Sequence, residues 1–398
     1  MKICAIICEL NPFHNGHTYL IKEARRLGFN HIIAITSGYF TQRGDISVVS
    51  KKAKTQAALL NGVDLVLEFP CLYSVSRAEI FARSSVYLAN ALGCVDSLIF
   101  GSESGNLEDL TLAGNISISE KLNNKIRENL KSGETFAKLR QNIITDLYSE
   151  KVADIFSHPN NNLAIEYLKS LNYFNSKIKP ITILRNNDSE KFISSSQIRD
   201  ILFQKSDSSS FKSLSEFMPE SAFEILKSEV NLRKAPANIQ NFERAILMQL
   251  KKLKISDIIA APDISEGLEF KIFNEIQKAN SINSLLENIK SKRYTLARIK
   301  RIILSLALGI TENNQNILPN YIRVLGFNKN GVEILSKIKK EASLPIVTKY
   351  SDVLRLKNDI ILKNFEFESL IAIFYSLALP KIQSIDEKKF SAINLREI

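Results

Sequence analysis

The stretch ICAIICELNPFHNGH, residues 3–17, decides how this chain begins to fold. Residues 3–8 form a continuous apolar run, which is typical of a strand buried on both faces of a parallel sheet. A polar loop follows, and apolar residues at helical spacing predict a helix over 16–27. Because ligands bind at the carboxyl ends of parallel strands, the loop over 9–17 is the first candidate site.

Alternating strand and helix patterns continue through the first 200 residues. Further strands are predicted over 31–36, 64–69, 95–100 and 181–184, and further helices over 52–60, 78–92 and 195–203. Residues 105–170 have mainly helical patterns and predict an insertion. Repeated strand–helix units predict an α/β fold with a Rossmann-like parallel sheet, covered by helices on both faces, in a domain over 1–205.

The second half of the chain has a different pattern. The segment SDSSSFKSLSE, residues 206–216, is rich in serine and predicts a domain boundary. Beyond it, apolar residues recur at helical spacing, and helices are predicted over 238–253, 268–279, 282–289, 295–308, 330–341 and 366–377. The sequence therefore predicts a mainly α-helical C-terminal domain over 206–398.

The net charge of +11 is concentrated in one segment of the second half. The whole chain has 53 Lys and Arg residues against 42 Asp and Glu residues, and residues 290–349 alone hold 12 against 3. A local basic excess is typical of contact with a polyanion such as RNA. The candidate RNA-binding side chains are Lys292, Arg293, Tyr294, Arg298, Arg301 and Arg323.

The alternative for this segment is an amphipathic core helix with a solvated basic face. Ile299, Ile302 and Ile303 recur at the spacing of a buried stripe, so one face of this helix is expected to lie in the core under either interpretation. A solvated face ordinarily mixes Glu with Lys, whereas acidic residues are nearly absent here. We therefore expect this segment to contact RNA.

Nothing in the sequence predicts a membrane segment or a structural metal site. No apolar run reaches the roughly 18 residues that a membrane helix needs. The first residues have the pattern of a strand and not of a signal peptide. None of the four cysteines forms a C-x-x-C pair, so neither a disulfide framework nor a zinc site is expected. These features predict a cytoplasmic protein with reduced thiols, no membrane contact and no side-chain metal ligands.

The loop after the first strand carries two histidines, His14 and His17, in the spacing H-x-G-H. A helix N-terminus offers free N–H groups and a positive dipole end to phosphate, and Gly16 lets phosphate approach the backbone. The histidines are the candidate catalytic residues, because such donors stabilise charge developing on a transferred phosphoryl group. The alternative is that Asn11 and Asn15 are turn and cap residues and the histidines are incidental.

The H-x-G-H spacing is similar to the signature of the nucleotidyltransferase superfamily. That superfamily has a second signature of the type I-S-S-x-x-I-R, and this chain has ISSSQIR at residues 193–199. The resemblance implies a nucleotidyltransferase domain in which Ser194, Ser196 and Arg199 bind the β- and γ-phosphates of ATP. Alone, the second motif would favour an ordinary serine-capped helix, but two signatures in the same order favour the nucleotidyltransferase.

Longer blocks resemble one family, the bacterial tRNA(Met) cytidine acetate ligases. The main matching blocks are ELNPFHNGH (9–17), SGYFTQRGD (37–45), AEIFARSSVYLANALGCVDSLIFGSE (78–103), HPNNNLAIEYLKSL (158–171), KRYTLARIKRIILSLALGI (292–310) and YIRVLGF (321–327). Enzymes of this family activate acetate with ATP and acetylate N4 of the wobble cytidine in elongator tRNA(Met). The resemblance implies that reaction here, through acetyl-adenylate, with Mg²⁺ accompanying ATP, acetate and elongator tRNA(Met) as partners, and no tightly bound cofactor.

The resemblance also implies a set of ATP-binding residues. They are Ile7, Cys8, Glu9, Leu10, Asn11, Pro12, Phe13, His14, Asn15, Gly16, His17, Thr18, Tyr19, Leu20, Gly101, Asn160 and Arg185. The placement is physically sensible, because Gly101 ends a strand where a ribose or purine can lie against bare backbone. Asn160 could equally cap a helix, and Arg185 could form a surface ion pair.

Two other functions fit parts of the sequence. One is a metabolite adenylyltransferase of the pantetheine-phosphate or nicotinamide-nucleotide kind, and the other is a non-catalytic RNA-binding protein with a vestigial nucleotide fold. The long basic helical half argues against the first, because small cofactor enzymes need no such domain. The intact H-x-G-H loop argues against the second.

Overall fold

An eight-stranded sheet forms the centre of the computed structural model, which describes residues 1–129, 136–185, 193–204, 208–265, 267–291 and 294–395. The strands are β1 (Ile3–Cys8), β2 (His31–Ser37), β3 (Leu65–Phe69), β4 (Ser97–Ser102), β5 (Lys179–Leu184), β6 (Ile322–Phe327), β7 (Ile346–Val347) and β8 (Ile393–Asn394). Strands β1 to β5 are paired in parallel, which confirms the predicted α/β fold.

The order of the strands creates a crevice beside β1. The sheet has the order β5-β4-β1-β2-β3-β6-β7, with β8 also paired to β6. The chain runs outward from β1 through β2 and β3, and then returns to β4 on the other side of β1. Connections therefore diverge between β1 and β4, and ligands bind at the carboxyl ends of strands at such a switch point.

Helices cover the sheet and make up most of the remaining described structure. They are α1 (Asn15–Arg26), α2 (Lys51–Leu60), α3 (Cys71–Ser74), α4 (Ala78–Ala91), α5 (Leu107–Ile118), α6 (Glu120–Asn129), α7 (Phe136–Leu147), α8 (Glu150–Ile155), α9 (Pro159–Tyr173), α10 (Ser195–Phe203), α11 (Ser208–Ser213), α12 (Glu220–Asn231), α13 (Glu243–Lys251), α14 (Ile255–Ile259), α15 (Leu268–Lys278), α16 (Ile282–Ile289), α17 (Leu296–Leu308), α18 (Glu312–Asn316), α19 (Lys329–Glu341), α20 (Tyr350–Arg355) and α21 (Asp359–Leu377). Two short 3₁₀ helices lie at Leu214–Glu216 and Ile239–Phe242. None of the helices in the described ranges is both long enough and apolar enough to cross a lipid bilayer.

Local sequence explains where several helices begin. Ser50, Thr295 and Asn358 precede α2, α17 and α21, and each side chain accepts a hydrogen bond from a backbone N–H of the first turn. Such caps satisfy donors that a helix start otherwise leaves unpaired. Helices α5 to α9 lie where the sequence predicts a helical insertion. The described part of the serine-rich segment, 208–216, is also helical.

The second half of the chain is mainly helical, as predicted, but it also contributes three strands to the central sheet. Strand β6 is antiparallel to β3, with Leu65 opposite Phe327 and Val66 opposite Gly326. The sheet therefore crosses the boundary that we predict at 205/206. The sequence pattern did not indicate this strand, because Arg323 and Gly326 interrupt its apolar run.

Arg323 lies inside the protein on β6. Its side chain is 3% exposed and pairs with Glu68 at 3.3 Å and with Glu387 at 2.7 Å. Lys51 is also buried and pairs with the same two carboxylates, and the Tyr39 hydroxyl donates to Glu387 at 2.6 Å. A buried arginine that is neutralised in this way cannot reach an RNA surface. The prediction that Arg323 binds tRNA is therefore wrong, because a basic residue on a strand can point into the core.

The fold also separates the basic segment 290–349 into two places. Helix α17 lies at the carboxyl edge of the sheet, against the loop that follows β2. There Gly44 has φ +74°, and a Cβ atom on it would lie 2.7 Å from the backbone nitrogen of Arg301. Helix α19 begins at the amino edge, where the Asn328 N–H donates to the Asp64 carbonyl at 3.0 Å. The basic residues of the two helices therefore do not form one continuous surface.

The buried charge cluster gives a stability prediction. Replacing Arg323 by Ala leaves two buried carboxylates, Glu68 and Glu387, with Lys51 as their remaining buried cation partner. We expect the free energy of unfolding to fall by about 3–5 kcal/mol, because an uncompensated buried charge remains. Urea denaturation followed by circular dichroism measures the change.

The control is Arg355→Ala, which removes an exposed ion pair with Asp352 at 2.9 Å. A surface pair of this kind contributes about 0–1 kcal/mol. Equal destabilisation by the two substitutions would contradict the structural role of Arg323.

Candidate active site

His14 is the N-cap residue of α1, and its ring lies over the first turn. Its Nδ1 accepts a hydrogen bond from the Gly16 N–H at 3.0 Å, and His17 Nδ1 accepts one from the His14 N–H at 3.2 Å. The two ring centroids lie 4.0 Å apart. The H-x-G-H spacing thus forms a capping box from two histidines, which satisfies backbone donors at the helix start.

The position of the His14 ring explains the glycine in this motif. A Cβ atom on residue 16 would lie 2.8 Å from His14 Cε1, which is closer than carbon atoms approach one another in folded proteins. The sequence suggested that Gly16 makes room for phosphate. In the structure it makes room for the ring that closes over the helix start.

Both histidines are neutral at pH 7. Burial, together with the positive charges of Arg185 and Arg199, lowers the pKa of His14 to about 4. Burial also lowers the pKa of His17 well below its ordinary value, helped by His14 and Arg185. A neutral imidazole whose Nδ1 accepts a hydrogen bond carries its proton on Nε2. Each ring therefore offers an Nε2–H donor without carrying a charge.

The second signature lies directly against the first. His14 Nε2 lies 2.8 Å from Ser195 Oγ at the start of α10. Arg199 Nη1 donates to the Asn11 carbonyl at 3.0 Å, and Arg199 Nη2 donates to Ser196 Oγ at 3.1 Å. The fold thus joins two motifs that lie more than 170 residues apart in the chain and brings the starts of α1 and α10 side by side.

The three serines of ISSSQIR have different partners. Ser194 is the N-cap of α10 and accepts a hydrogen bond from the Gln197 N–H at 3.2 Å. Ser196 accepts a hydrogen bond from Arg199 Nη2. Ser195 is the serine that contacts His14, and sequence reasoning missed it. The motif showed three consecutive serines, but only the position of the helix cap decides which of their hydroxyl groups faces His14.

Gly101, Asn160 and Arg185 meet at the carboxyl ends of β4 and β5. A Cβ atom on Gly101 would lie 3.1 Å from Arg185 Cγ, and Arg185 Nη1 lies 3.5 Å from Asn160 Oδ1. Glu103 accepts hydrogen bonds from Asn160 Nδ2 at 2.6 Å and from the Asn161 N–H at 2.8 Å. The three predicted residues are therefore neighbours, and Glu103, which the sequence did not indicate, orients Asn160.

The remaining residues of the predicted ATP site form the loop and the first turns of α1. Leu10, Asn11 and Phe13 are buried, so their side chains anchor the loop to the protein interior. Asn11 Nδ2 donates to the Ile46 carbonyl at 3.0 Å, and Asn11 Oδ1 accepts from the Val48 N–H at 2.8 Å. These bonds tie the first loop to the loop after β2.

Lys54 on α2 is a buried support that sequence reasoning missed. Its Nζ donates to the carbonyls of Glu9 at 3.0 Å, Ser37 at 3.0 Å and Gly38 at 2.9 Å. Burial lowers the pKa of Lys54 to about 7, yet three carbonyl acceptors use all three hydrogens of an ammonium group. The ammonium form therefore ties together the chain segments that leave β1 and β2. The pattern of α2 gave no sign of this role.

The basic residues at the start of α17 face carboxylates and carbonyls of the protein. Arg298 Nη2 donates to the Asp263 carbonyl at 2.6 Å, and Arg301 pairs with the Asp263 carboxylate at 3.3 Å. Tyr294 is 8% exposed, and the Arg298 guanidinium lies 5.0 Å from the centre of its ring. Residues 292–293 lie outside the described residues. A role of these residues in RNA binding stays a prediction.

A cavity of about 460 Å³ lies between the second signature and the helical half. We call it the α10–α17 cavity. Residues that line it include Asp45, Arg199, Asn238, Asn283, Lys300 and Ile303. Its volume is within the range of about 300–1,000 Å³ that is usual for small-molecule sites.

The chain matches known proteins along nearly its whole length. A family model described as HIGH nucleotidyl transferase matches residues 1–389. The tRNA(Met) cytidine acetate ligase of Thermoanaerobacter sp. (strain X514) is 39% identical over 393 residues, which cover 95% of this chain and 96% of that protein. The protein of the same name from Clostridium kluyveri (strain ATCC 8527) is 40% identical over 386 residues, covering 89% and 92%. This chain belongs to the tRNA(Met) cytidine acetate ligase family.

Solved structures within the family have the same fold. Thermotoga maritima TmcAL bound with alpha-thio ATP aligns with a TM-score of 0.92 and 31% identity, covering 100% of both chains. The apo form I of the same protein aligns equally well. The family membership and fold that the sequence resemblance implied are confirmed.

The environment of the histidines predicts how they titrate. His14 should stay neutral down to about pH 4, whereas an exposed histidine protonates near pH 6.5. Between these values the unfolded chain binds a proton that the folded protein excludes, so this residue lowers the free energy of unfolding as the pH falls through that window. NMR titration of the histidine ring signals, with His14 assigned by loss of its peak in His14→Gln, measures the midpoint. A midpoint near 6.5 would contradict the burial and charge argument.

Proposed function

We propose that this protein is an ATP-dependent tRNA(Met) cytidine acetate ligase that works through acetyl-adenylate. The observation that carries the proposal is the contact of the two signatures, with His14 Nε2 2.8 Å from Ser195 Oγ at the adjoining starts of two helices. Relatives that share 39–40% of their residues with this chain bear that name, and the Thermotoga maritima relative binds alpha-thio ATP.

ATP would lie across the switch point between β1 and β4. Its adenosine would rest against Gly101 and Asn160, and its phosphates would reach the start of α1. Helix N-termini favour phosphate through free N–H groups and the dipole. Arg185 and Arg199, whose positive charges both act on His14, add the charge that a triphosphate needs.

In the first step an acetate oxygen attacks the α-phosphorus of ATP. An acetate O–P bond forms, the bond from the α-phosphorus to the bridging oxygen breaks, and pyrophosphate leaves with that electron pair. Acetate is already an anion, so no protein base is needed. His17 donates its Nε2–H to an oxygen on which negative charge grows, and His14 exchanges its Ser195 Oγ partner for such an oxygen when ATP binds. The neutrality of both rings keeps these protons in place.

Mg²⁺ would enter with ATP, as part of the substrate. In the described parts of the chain, no group of three or more His, Cys, Asp or Glu side chains is arranged to hold a metal ion. Mg²⁺ commonly binds through substrate phosphates, waters and one or two carboxylates. The ion would neutralise charge on the triphosphate.

In the second step the N4 amine of the wobble cytidine attacks the acetyl carbonyl carbon of acetyl-adenylate. A C–N bond forms, the C–O bond to the phosphate breaks, AMP leaves, and one N4 proton is lost to water. The base must leave its stack to bring the amine to the anhydride. Lys292, Arg293, Arg298 and Arg301 are the residues that we propose for tRNA binding. Helix α17, which carries Arg298 and Arg301, lies at the carboxyl edge of the sheet.

Incubation of the pure protein with ATP, labelled acetate and elongator tRNA(Met) tests the activity. We expect label on N4 of the wobble cytidine, together with AMP and pyrophosphate. ATP consumption that needs a nucleotide or pantetheine acceptor would instead support a metabolite adenylyltransferase. No ATP turnover under any condition would support a non-catalytic RNA-binding protein.

His14→Ala and His17→Ala serve as the matched variants of this test. Each should reduce acetyl-adenylate formation by at least about 100-fold, because a positioned donor to a developing oxyanion contributes about 10²–10³ in rate. Binding of tRNA should persist. Normal acetyl-adenylate output from either variant would remove that histidine from the mechanism.

The tRNA surface is tested by charge reversal. Lys292→Glu combined with Arg293→Glu should weaken tRNA binding by about 10-fold or more. The slope of the logarithm of the binding constant against the logarithm of the salt concentration should become shallower by about 2, because two phosphate contacts are lost. ATP turnover without tRNA should remain. Filter binding at several salt concentrations measures the effect.

The control is Lys339→Glu combined with Lys340→Glu, which makes the same change in net charge. Both residues are exposed near the end of α19, whose start lies at the amino edge of the sheet. An equal loss of tRNA affinity in both variants would show that only overall charge matters.

A further inference from the structure

The α10–α17 cavity shares Ser196 and Arg199 with the predicted phosphate site and extends away from it toward the helical half. Arg199 lines the cavity and also donates to the Asn11 carbonyl of the loop at 3.0 Å. Gly101 lies near the end of β4 and Arg185 follows β5 on one side of β1, whereas Asp45 follows β2 on the other side. The cavity therefore approaches the phosphates from the side opposite to the proposed adenosine site.

The walls of the cavity combine apolar faces with polar edges. Ile246, Ile282 and Ile303 supply apolar surface, and Asn238 and Asn283 supply amide groups. Extruded bases are bound in this manner, because their faces need apolar contact and their edges need hydrogen bonds. A cavity of about 460 Å³ is far larger than acetate requires, since acetate has only four non-hydrogen atoms.

One carboxylate in the cavity suits a cytosine. Asp45 Oδ1 pairs with Lys300 Nζ at 2.8 Å, and Asp45 Oδ2 lies 3.9 Å from Arg199 Nη2. These contacts hold the group and leave lone pairs free, because a carboxylate can accept about four hydrogen bonds. Carboxylates accept hydrogen bonds from cytosine N4, whereas uracil presents an acceptor at the same position.

We propose that the α10–α17 cavity binds the extruded wobble base of the tRNA, and that Asp45 selects cytosine over uracil by accepting a hydrogen bond from N4. The inference rests on the proposed function for the identity of the RNA. It assigns a second binding site to the protein, formed jointly by the catalytic sheet and the helical half.

The first test maps the base by photo-crosslinking to the full chain. An anticodon stem–loop of elongator tRNA(Met) carrying 5-iodocytidine at the wobble position keeps the N4 amine and couples to nearby side chains under ultraviolet light. Phe203 lines the cavity and provides an aromatic acceptor. Crosslinked peptides should contain residue 203 or residues within 238–246, 282–286 or 300–304. A crosslink elsewhere, or none, would overturn the proposal.

The second test fills the cavity from its rim. Asn283 is exposed and lines the cavity, so Asn283→Trp can block the base without disturbing the core. We expect acetyl-adenylate formation within about 2-fold of the unmodified protein and tRNA acetylation reduced by at least about 100-fold, because only the second step needs the base. Asn283→Ala, which leaves the cavity open, should acetylate within about 3-fold. Normal acetylation by Asn283→Trp would contradict the site.

The third test addresses base choice. The unmodified protein should crosslink a 5-iodocytidine stem–loop at least about 5-fold more efficiently than a 5-iodouridine one, since a specific base contact discriminates by about 1–3 kcal/mol. Asp45→Asn should reduce that ratio, because an amide can also donate to uracil. An unchanged ratio would remove Asp45 from base selection.

Failure of the proposed function would give a different result. The unmodified protein would then form no N4-acetylcytidine, even though the crosslinks still placed the base in the cavity.

Discussion

The burial of two uncharged histidines at one helix start is the constraint on which the site depends. His14 and His17 cap α1 with their Nδ1 atoms, so their Nε2–H groups become the donors. Burial and two neighbouring arginines keep His14 neutral at physiological pH. A neutral donor can stabilise developing negative charge and needs no carboxylate to balance it. The positive charge of the two arginines can then act on the phosphates.

The rest of the sheet holds this loop in place. Asn11 ties it to the segment after β2, Lys54 ties that segment back to the carbonyl of Glu9, and Arg199 joins it to α10. These bonds are largely buried, where an unpaired polar group is costly, so the loop has little freedom to shift. The second helix start is therefore positioned by the first, which explains why two distant motifs act as one site.

The helical half is part of the catalytic unit and not an appended module. Strand β6 extends the sheet, and Arg323 binds carboxylates from both halves of the chain in a cluster closed to water. Helix α17 closely approaches Gly44, next to Asp45. In the proposed reaction, an acceptor that enters the α10–α17 cavity would approach the adenylate between elements of the two halves.

The sequence by itself determined the strand–helix alternation, the order of the two signatures and the family, because these depend on local periodicity and on contiguous residues. It also indicated Gly101, Asn160 and Arg185, which the fold brings together, and their role in ATP binding stays a prediction. Only the tertiary structure decided that Ser195 and not Ser194 meets His14, that Lys54 and Glu103 support the site, and that Arg323 is buried. The reason is physical: which way a side chain points depends on helix caps, strand register and long-range pairing, and none of these is set by the neighbouring residues alone.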